Sequence, residues 1–271
     1  MSICFAFLCN DAGLSTTAQA AFRQALTVDG GAPHGWGWSY YQAGEPLLRK
    51  QPRGLRAEPL DLCARMAHLR THLVIGQVAG PTAEPRTMEN TQPFRFRNWT
   101  YCQIGAIPRL EEVLPELLRA IPDFMRRNIH GASAGELLFH LFLAFLNDAG
   151  RLDDDQLPAQ QASAALGSAL TYLDRLQRDH GGPATELCCL ATNGKVVLAT
   201  RRGLPLALAR HSAYLNVGRD VDERRLSYPH LKSIVIIGGR AFAGAGWETI
   251  ADHTSVCVDP SLNIEHCPGS A

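Results

Sequence analysis

Near the start of the chain stand six consecutive apolar residues, Ile3-Cys4-Phe5-Ala6-Phe7-Leu8. A half-buried strand alternates polar and apolar side chains, whereas an unbroken apolar run of this length is the pattern of a strand covered on both faces. The rest of the chain must therefore place apolar surface on two sides of one sheet. Turn signals say how the strands connect. "HGWGWSYYQ", residues His34 to Gln42, is an aromatic strand pattern, and Ala43-Gly44 turns it into Glu45 to Gln51. Asn193-Gly194 stands between the strand patterns Thr185 to Thr192 and Lys195 to Thr200, and predicts a type I′ hairpin. Consecutive hairpins make antiparallel neighbours and argue against a doubly wound parallel sheet.

Ser15 or Thr16 is placed to cap a helix over Thr17 to Leu26. Leu62, Met66 and Leu69 give helical spacing across Glu58 to His72, and Leu73 to Val78 is a second buried strand. Pro81 to Pro93 is a loop, and Trp99 to Gln103 the next strand. Three helical stretches follow, Leu110 to Ile121, Gly135 to Leu146 and Ala159 to Arg178, with the polar Arg151 to Gln161 read as an interhelical loop. Leu204 to Ala209, Ser233 to Ile237 and Ser255 to Val258 complete a second set of strands. Strands, a helical middle and strands again predict an α+β chain of two antiparallel sheets between helices. No repeat or linker divides it, so residues 1–271 are read as a single domain.

Composition excludes several classes of function. Lys+Arg and Asp+Glu balance at 26 each, so no net charge draws the chain to nucleic acid or anionic lipid. The longest apolar candidate, Leu137 to Leu146, is interrupted by His140 and is too short to span a bilayer. The apolar start has no charged segment before it, so no signal peptide is expected. The eight cysteines form no CxxC pair and fall mostly in strand-like runs, which fits a reducing cytoplasm. His68 and His72 are four apart at a helix end, a surface pattern more than a ligand pair, and no metal or cofactor is expected. Gly238-Gly239, Gly244 and Gly246 lead into no helix that would make a phosphate cradle.

Four stretches together resemble the class II glutamine amidotransferases, in particular their compact stand-alone branch. They are His34-Gly35-Trp36-Gly37-Trp38, Glu89-Asn90-Thr91-Gln92-Pro93-Phe94, Trp99 through Ile107, and "TNGKVVLATRR" from Thr192 to Arg202. "GWETI", Gly246 to Ile250 before the last strand, looks like that family's C-terminal end. The resemblance covers nearly the whole chain and implies the αββα four-layer sandwich of the N-terminal-nucleophile hydrolases. It also implies a chemistry. A cysteine after the initiator Met attacks the glutamine side-chain amide, with its own α-amine as base. An Asn-Gly pair forms the oxyanion hole, an Arg clamps the substrate carboxylate and an Asp holds its ammonium.

Carried over residue by residue, the resemblance gives a degenerate site. Position 2 is Ser2. The Arg position in Gln77 to Thr82 is Ala79. The oxyanion pair within Gln103-Ile104-Gly105 keeps Gly105 and has Ile104 for the Asn. The Asp position in Ser133 to Glu136 is Ala134, Trp36 replaces another Asp, and Gln92 stands for a His. Loss of one oxyanion donor alone typically costs about a hundred- to a thousand-fold in rate. The changes fall on the site while glycines and strand pattern persist. The expectation is a binding or scaffolding subunit without glutaminase activity, working with a partner enzyme subunit or as a homodimer. The alternative is an amidohydrolase using Ser2, or Cys4 after processing, on a non-glutamine amide. Trp36, Ala79 and Ile104 are expected to line one narrowed cavity near Ser2, and Trp38 to pack in the core.

Overall fold

The computed structural model describes residues 2–28, 35–52, 59–80, 85, 87–212, 228–242, 244 and 246–268. In chain order the strands are β1 (Ile3–Cys9), β2 (Thr27–Val28), β3 (Gly35–Gln42), β4 (Glu45–Gln51), β5 (Leu60–Asp61), β6 (Leu73–Ala79), β7 (Phe94–Phe96), β8 (Trp99–Gly105), β9 (Leu187–Thr192), β10 (Val197–Arg202), β11 (Leu206–Ser212), β12 (Lys232–Gly238), β13 (Trp247–Thr249), β14 (Thr254–Val258) and β15 (Ile264–Pro268). The helices are α1 (Ser15–Ala20), α2 (Leu62–Met66), α3 (Leu110–Ala120), α4 (Asp123–Arg126), α5 (Ala134–Asp148) and α6 (Ala159–Asp179). The first sheet runs β13-β11-β12-β1-β6-β3-β4 and the second β15-β14-β10-β9-β8-β7, with β2 and β5 as a separate pair. Every strand pairing in the two large sheets is antiparallel among the described residues.

The unbroken apolar run is β1, central in its sheet and buried along its whole length. Its alternate residues feed two different clusters. Ile3, Phe5 and Phe7 join Trp36, Trp38 and the short helices α1 and α2. Cys4, Ala6 and Leu8 join Cys102, Ile104, Cys188 and Leu190 of the second sheet, so they lie between the sheets. The third cluster packs α3, α5 and α6 on the far side of the second sheet. α5 is buried on all sides, from Ala134 through Ala144, as its predominantly apolar sequence requires, and Glu136 and His140 are buried with it. Among the described residues no helix is long and apolar enough to cross a membrane.

Several sequence expectations change. The helix expected to reach Leu26 stops at Ala20, and tight turns carry the chain into β2. Leu62, Met66 and Leu69 are buried as expected, but only Leu62–Met66 is helical. Asp61 caps that helix by accepting the Ala64 N–H at 3.0 Å, so the chain before it belongs to β5. Glu58 and His34 lie outside the described residues. His68 and His72 lie beyond the helix and share no helical face. Asn193 does not adopt the left-handed conformation of a two-residue turn. Its Oδ1 accepts the N–H groups of Lys195 and Val196 at 3.0 Å each, closing a longer loop between Thr192 and Val197. Trp247–Thr249 is an edge strand of the first sheet, with β14 and β15 still to follow.

Side chains also stitch the sheets together. Ser39 donates to Thr100 at 3.0 Å, and the Tyr41 hydroxyl donates to the Asn98 carbonyl at 2.6 Å.

Candidate functional site

β1 begins where the ends of β6, β8 and β12 meet. The Ser2 hydroxyl accepts the Gly80 N–H at 2.9 Å, just past β6. Gly239, just past β12, has φ +86°, and a Cβ there would collide with the Ser2 carbonyl and stand 2.5 Å from Ile104 Cδ1. Ser2, Gly80, Gly239 and Ile104 therefore form one contact group. Ala79 adjoins it, on the face of β6 that also carries Ile75 and Gln77. Ile104 is 4% exposed and faces between the sheets, opposite Cys188 on β9.

Gly105 ends β8 at φ +101°, and a Cβ would collide with the Glu186 carbonyl. Only glycine fits a backbone that is both left-handed and this close to its neighbour. The ladder alone thus requires the one residue of the oxyanion pair that persists.

Beside this group runs a chain of amides. Gln77 Nε2 donates to the Gln103 carbonyl at 2.8 Å, across the sheets. The Gln103 N–H donates to Gln92 Oε1 at 2.6 Å, and the Tyr101 hydroxyl to Gln103 Oε1 at 2.7 Å. Gln92 and Gln103 are both buried. The N-terminus of α5 packs here: Ser133 caps it by accepting the Gly135 N–H at 3.2 Å. A Cβ on Gly135 would lie 3.2 Å from both Gln103 Cγ and Gln92 Nε2. Ala134 is the first residue of that helix and is buried in the outer cluster with Phe94 and Tyr101.

The expected single cavity takes a different form. Strand side chains alternate faces, so Ile104 points between the sheets while its neighbour Gln103 reaches toward α5. Ala134 is thus separated from Ile104 by β8 itself. Trp36 is further away in kind: it sits opposite Val78, in the cluster on the outer face of the first sheet. There it stacks on Trp38, with ring centroids 4.6 Å apart, under the guanidinium groups of Arg49 and Arg65. Gly37, one residue on, is the one that faces the amide chain, and the Gln92 carbonyl occupies the space where a Cβ would stand. Trp36 is a packing residue of the outer core.

Cys4 lies between the sheets at 0% exposure. Burial, then the neighbouring Cys102, Cys188 and Cys189, push its thiol well above the usual range, so it carries no thiolate to attack with. Burial likewise keeps the Tyr101 hydroxyl protonated. Ser2, Ala79, Gly80, Ile104, Gly105, Gly239 and the three glutamines carry no charge. Arg240 turns away, donating to the Thr27 carbonyl at 3.4 Å and lying over Phe242. Among the described residues no group of three or more His, Cys, Asp or Glu side chains gathers to hold a metal ion. Gly80 and Tyr101 fell within stretches that the sequence marked but were given no role there. Gly238-Gly239 was noted only as making no phosphate cradle, and here Gly239 packs closely on Ser2.

No protein-family model matches this chain, and no curated protein sequence does. Solved structures do match. A glutamine aminotransferase class-II domain protein from Silicibacter pomeroyi superposes with TM-score 0.60 at 16% identity, covering 99% of this chain and 100% of that one. A predicted glutamine amidotransferase from Pseudomonas aeruginosa gives 0.58 at 15%, covering 97% and 95%. Glutamine phosphoribosylpyrophosphate amidotransferase from B. subtilis gives 0.57 at 11%, covering 99% of this chain and 49% of that one. At these identities the likeness is one of fold: this chain has the fold of class II glutamine amidotransferase domains.

Proposed function

We infer that this chain is a single class II glutamine amidotransferase-like domain that has lost glutaminase activity and serves as a binding or scaffolding subunit. One observation carries this. At the head of β1, where the resemblance puts nucleophile and oxyanion donor, the Ser2 hydroxyl accepts a backbone N–H, and the position beside it that should hold the donor carries the hydrocarbon of Ile104, packed with the Ser2 carbonyl around Gly239. Such a site offers neither an activated nucleophile nor a side-chain donor to a developing oxyanion. Ala79 and Ala134 offer no charge to a zwitterionic substrate, and burying its charged groups unpaired would be costly. Cys4 is too deeply buried to take the nucleophile's place.

The scaffolding role is supported by exposed apolar side chains on one side of the molecule. Met88, half exposed, lines a cleft of about 590 Å³ with Leu48 and Phe94, beside the charged side chains of Lys50, Glu89, Arg95 and Glu136. Phe124, whose carbonyl accepts from the cleft residue Asn128 at 2.8 Å, is exposed as well. A partner enzyme subunit or a second copy of the chain would cover them.

The test is ammonia release from glutamine by the purified protein. Release equal to the blank is expected, and Ser2→Cys should stay equally silent because the missing groups act together. Glutamine turnover that disappears on Ser2→Ala would overturn the inference and make Ser2 an active nucleophile on glutamine.

A further inference from the structure

Cys257 on β14 and Cys267 on β15 have their sulfur atoms 3.5 Å apart. Cys4, Cys9, Cys63, Cys102 and Cys188 instead direct their thiols at backbone carbonyls. In the ladder Ser255 stands opposite Cys267 and Cys257 opposite Glu265, so the two cysteines are diagonal neighbours on one face. That face is covered by the start of α6: Cys257 Sγ is 3.7 Å from the Ala159 carbonyl, and Gln160 donates to both carboxylate oxygens of Glu265.

The two thiols differ in access. Among the described residues β15 is an edge strand, paired only with β14. Edge strands open locally at lower free energy than central ones. Cys267 is 8% exposed on that strand, and Cys257 is 1% exposed on the inner one. Burial and then the neighbouring Cys267 push the Cys257 thiol up, which suits it to react second, once the first sulfur has been activated as a mixed disulfide.

We propose that Cys267 and Cys257 are a redox-modification site, the attacking and resolving thiols of a disulfide made by exchange with a low-molecular-weight disulfide. Cys267 thiolate attacks one sulfur of the reagent RSSR, forming a protein–SR mixed disulfide and expelling RS⁻, which takes up a proton. Cys257 loses its proton and attacks the Cys267 sulfur, expelling the second RS⁻. The protein gives up two electrons and two protons, and the reagent leaves as two RSH. The protein S–S bond needs a separation of about 2 Å. Closing the remaining distance draws the edge strand toward β14, a movement that its single ladder permits.

The probe is oxidised glutathione, applied to the native full-length chain. After alkylation and digestion, mass spectrometry should find a Cys257–Cys267 cross-link, with the other six cysteines alkylated. The oxidised chain should melt several degrees above the reduced one, because the bridge closes the β14–β15 hairpin. Cys257→Ser should stop at a stable glutathione adduct on Cys267, and Cys267→Ser should give neither adduct nor cross-link. Should either variant misfold, the wild-type map still decides. Eight alkylated cysteines after native exchange, a cross-link between a different pair, or an adduct that persists on wild-type Cys267 would each overturn the proposal.

Discussion

Restoring the asparagine of the oxyanion loop, Ile104→Asn, should break the protein sooner than it revives any chemistry. Ile104 is 4% exposed and belongs to the cluster between the sheets. Removing its buried hydrocarbon forfeits about 1.5–3 kcal/mol. The carboxamide that replaces it enters an apolar group in which Ser2 Oγ already accepts from Gly80 and the Gly239 N–H donates to the Pro205 carbonyl at 2.8 Å. Leaving an amide unpartnered adds about 1–3 kcal/mol. The sum, roughly 2.5–6 kcal/mol, is a large part of the 5–15 kcal/mol that usually holds a domain together. Urea unfolding followed by intrinsic fluorescence measures it, with Ile104→Val as the control expected to lose only about 0.5–1.5 kcal/mol. A loss below about 1 kcal/mol for Ile104→Asn would mean that the position is roomy and wet. Ile104 would then not be part of the packed layer between the sheets.

Gly239→Ala should destabilise by several kcal/mol in the same assay, since a Cβ at φ +86° would strike Ser2 and Ile104 together; an unchanged midpoint would refute the convergence of those residues. Tyr41→Phe should lose about 0.5–1.5 kcal/mol by removing the hydroxyl bonded to Asn98. Burial holds the imidazole of His140 below its ordinary pKa, outweighing the Glu136 carbonyl and carboxylate that favour the charged form, while His130 lowers it further. The unfolded chain therefore binds the proton first, and stability should fall as pH drops below about 6.5 until the folded-state value is passed. Thermal melts of His140→Leu should show a shallower acid slope than wild type; identical slopes would assign the effect to other groups.

β1 was legible because burial on both faces leaves an unbroken apolar run. The long helices were legible because α5 is predominantly apolar and α6 has a clear helical period. The three-residue strands β7 and β13 were not, since so short a segment carries no period, and β15 mixes charge with apolar residues. α2 shows a different limit: Leu62, Met66 and Leu69 have helical spacing and are all buried, yet a turn places Leu69 as well as a helix would. At the candidate site the sequence identified which residue types stand at which positions. It could not give the face each one takes. Trp36 and Gly37 are adjacent in the chain, and which of them meets the second sheet depends on strand register, which long-range pairing sets. The amide chain was half visible: Gln77, Gln92 and Gln103 were each marked, but their hydrogen bonds join segments far apart in sequence.

Those bonds have a mechanical consequence. Gln77 to Gln103, Ser39 to Thr100 and Tyr41 to Asn98 all cross from the first sheet to the second, at successive levels along β3, β6 and β8. Sliding one sheet past the other by a single residue, about 3.3 Å, would break all three at once. The two sheets therefore resist shear as one plate, and a push delivered to the edge strand β4 is borne by β8 and the helices behind it.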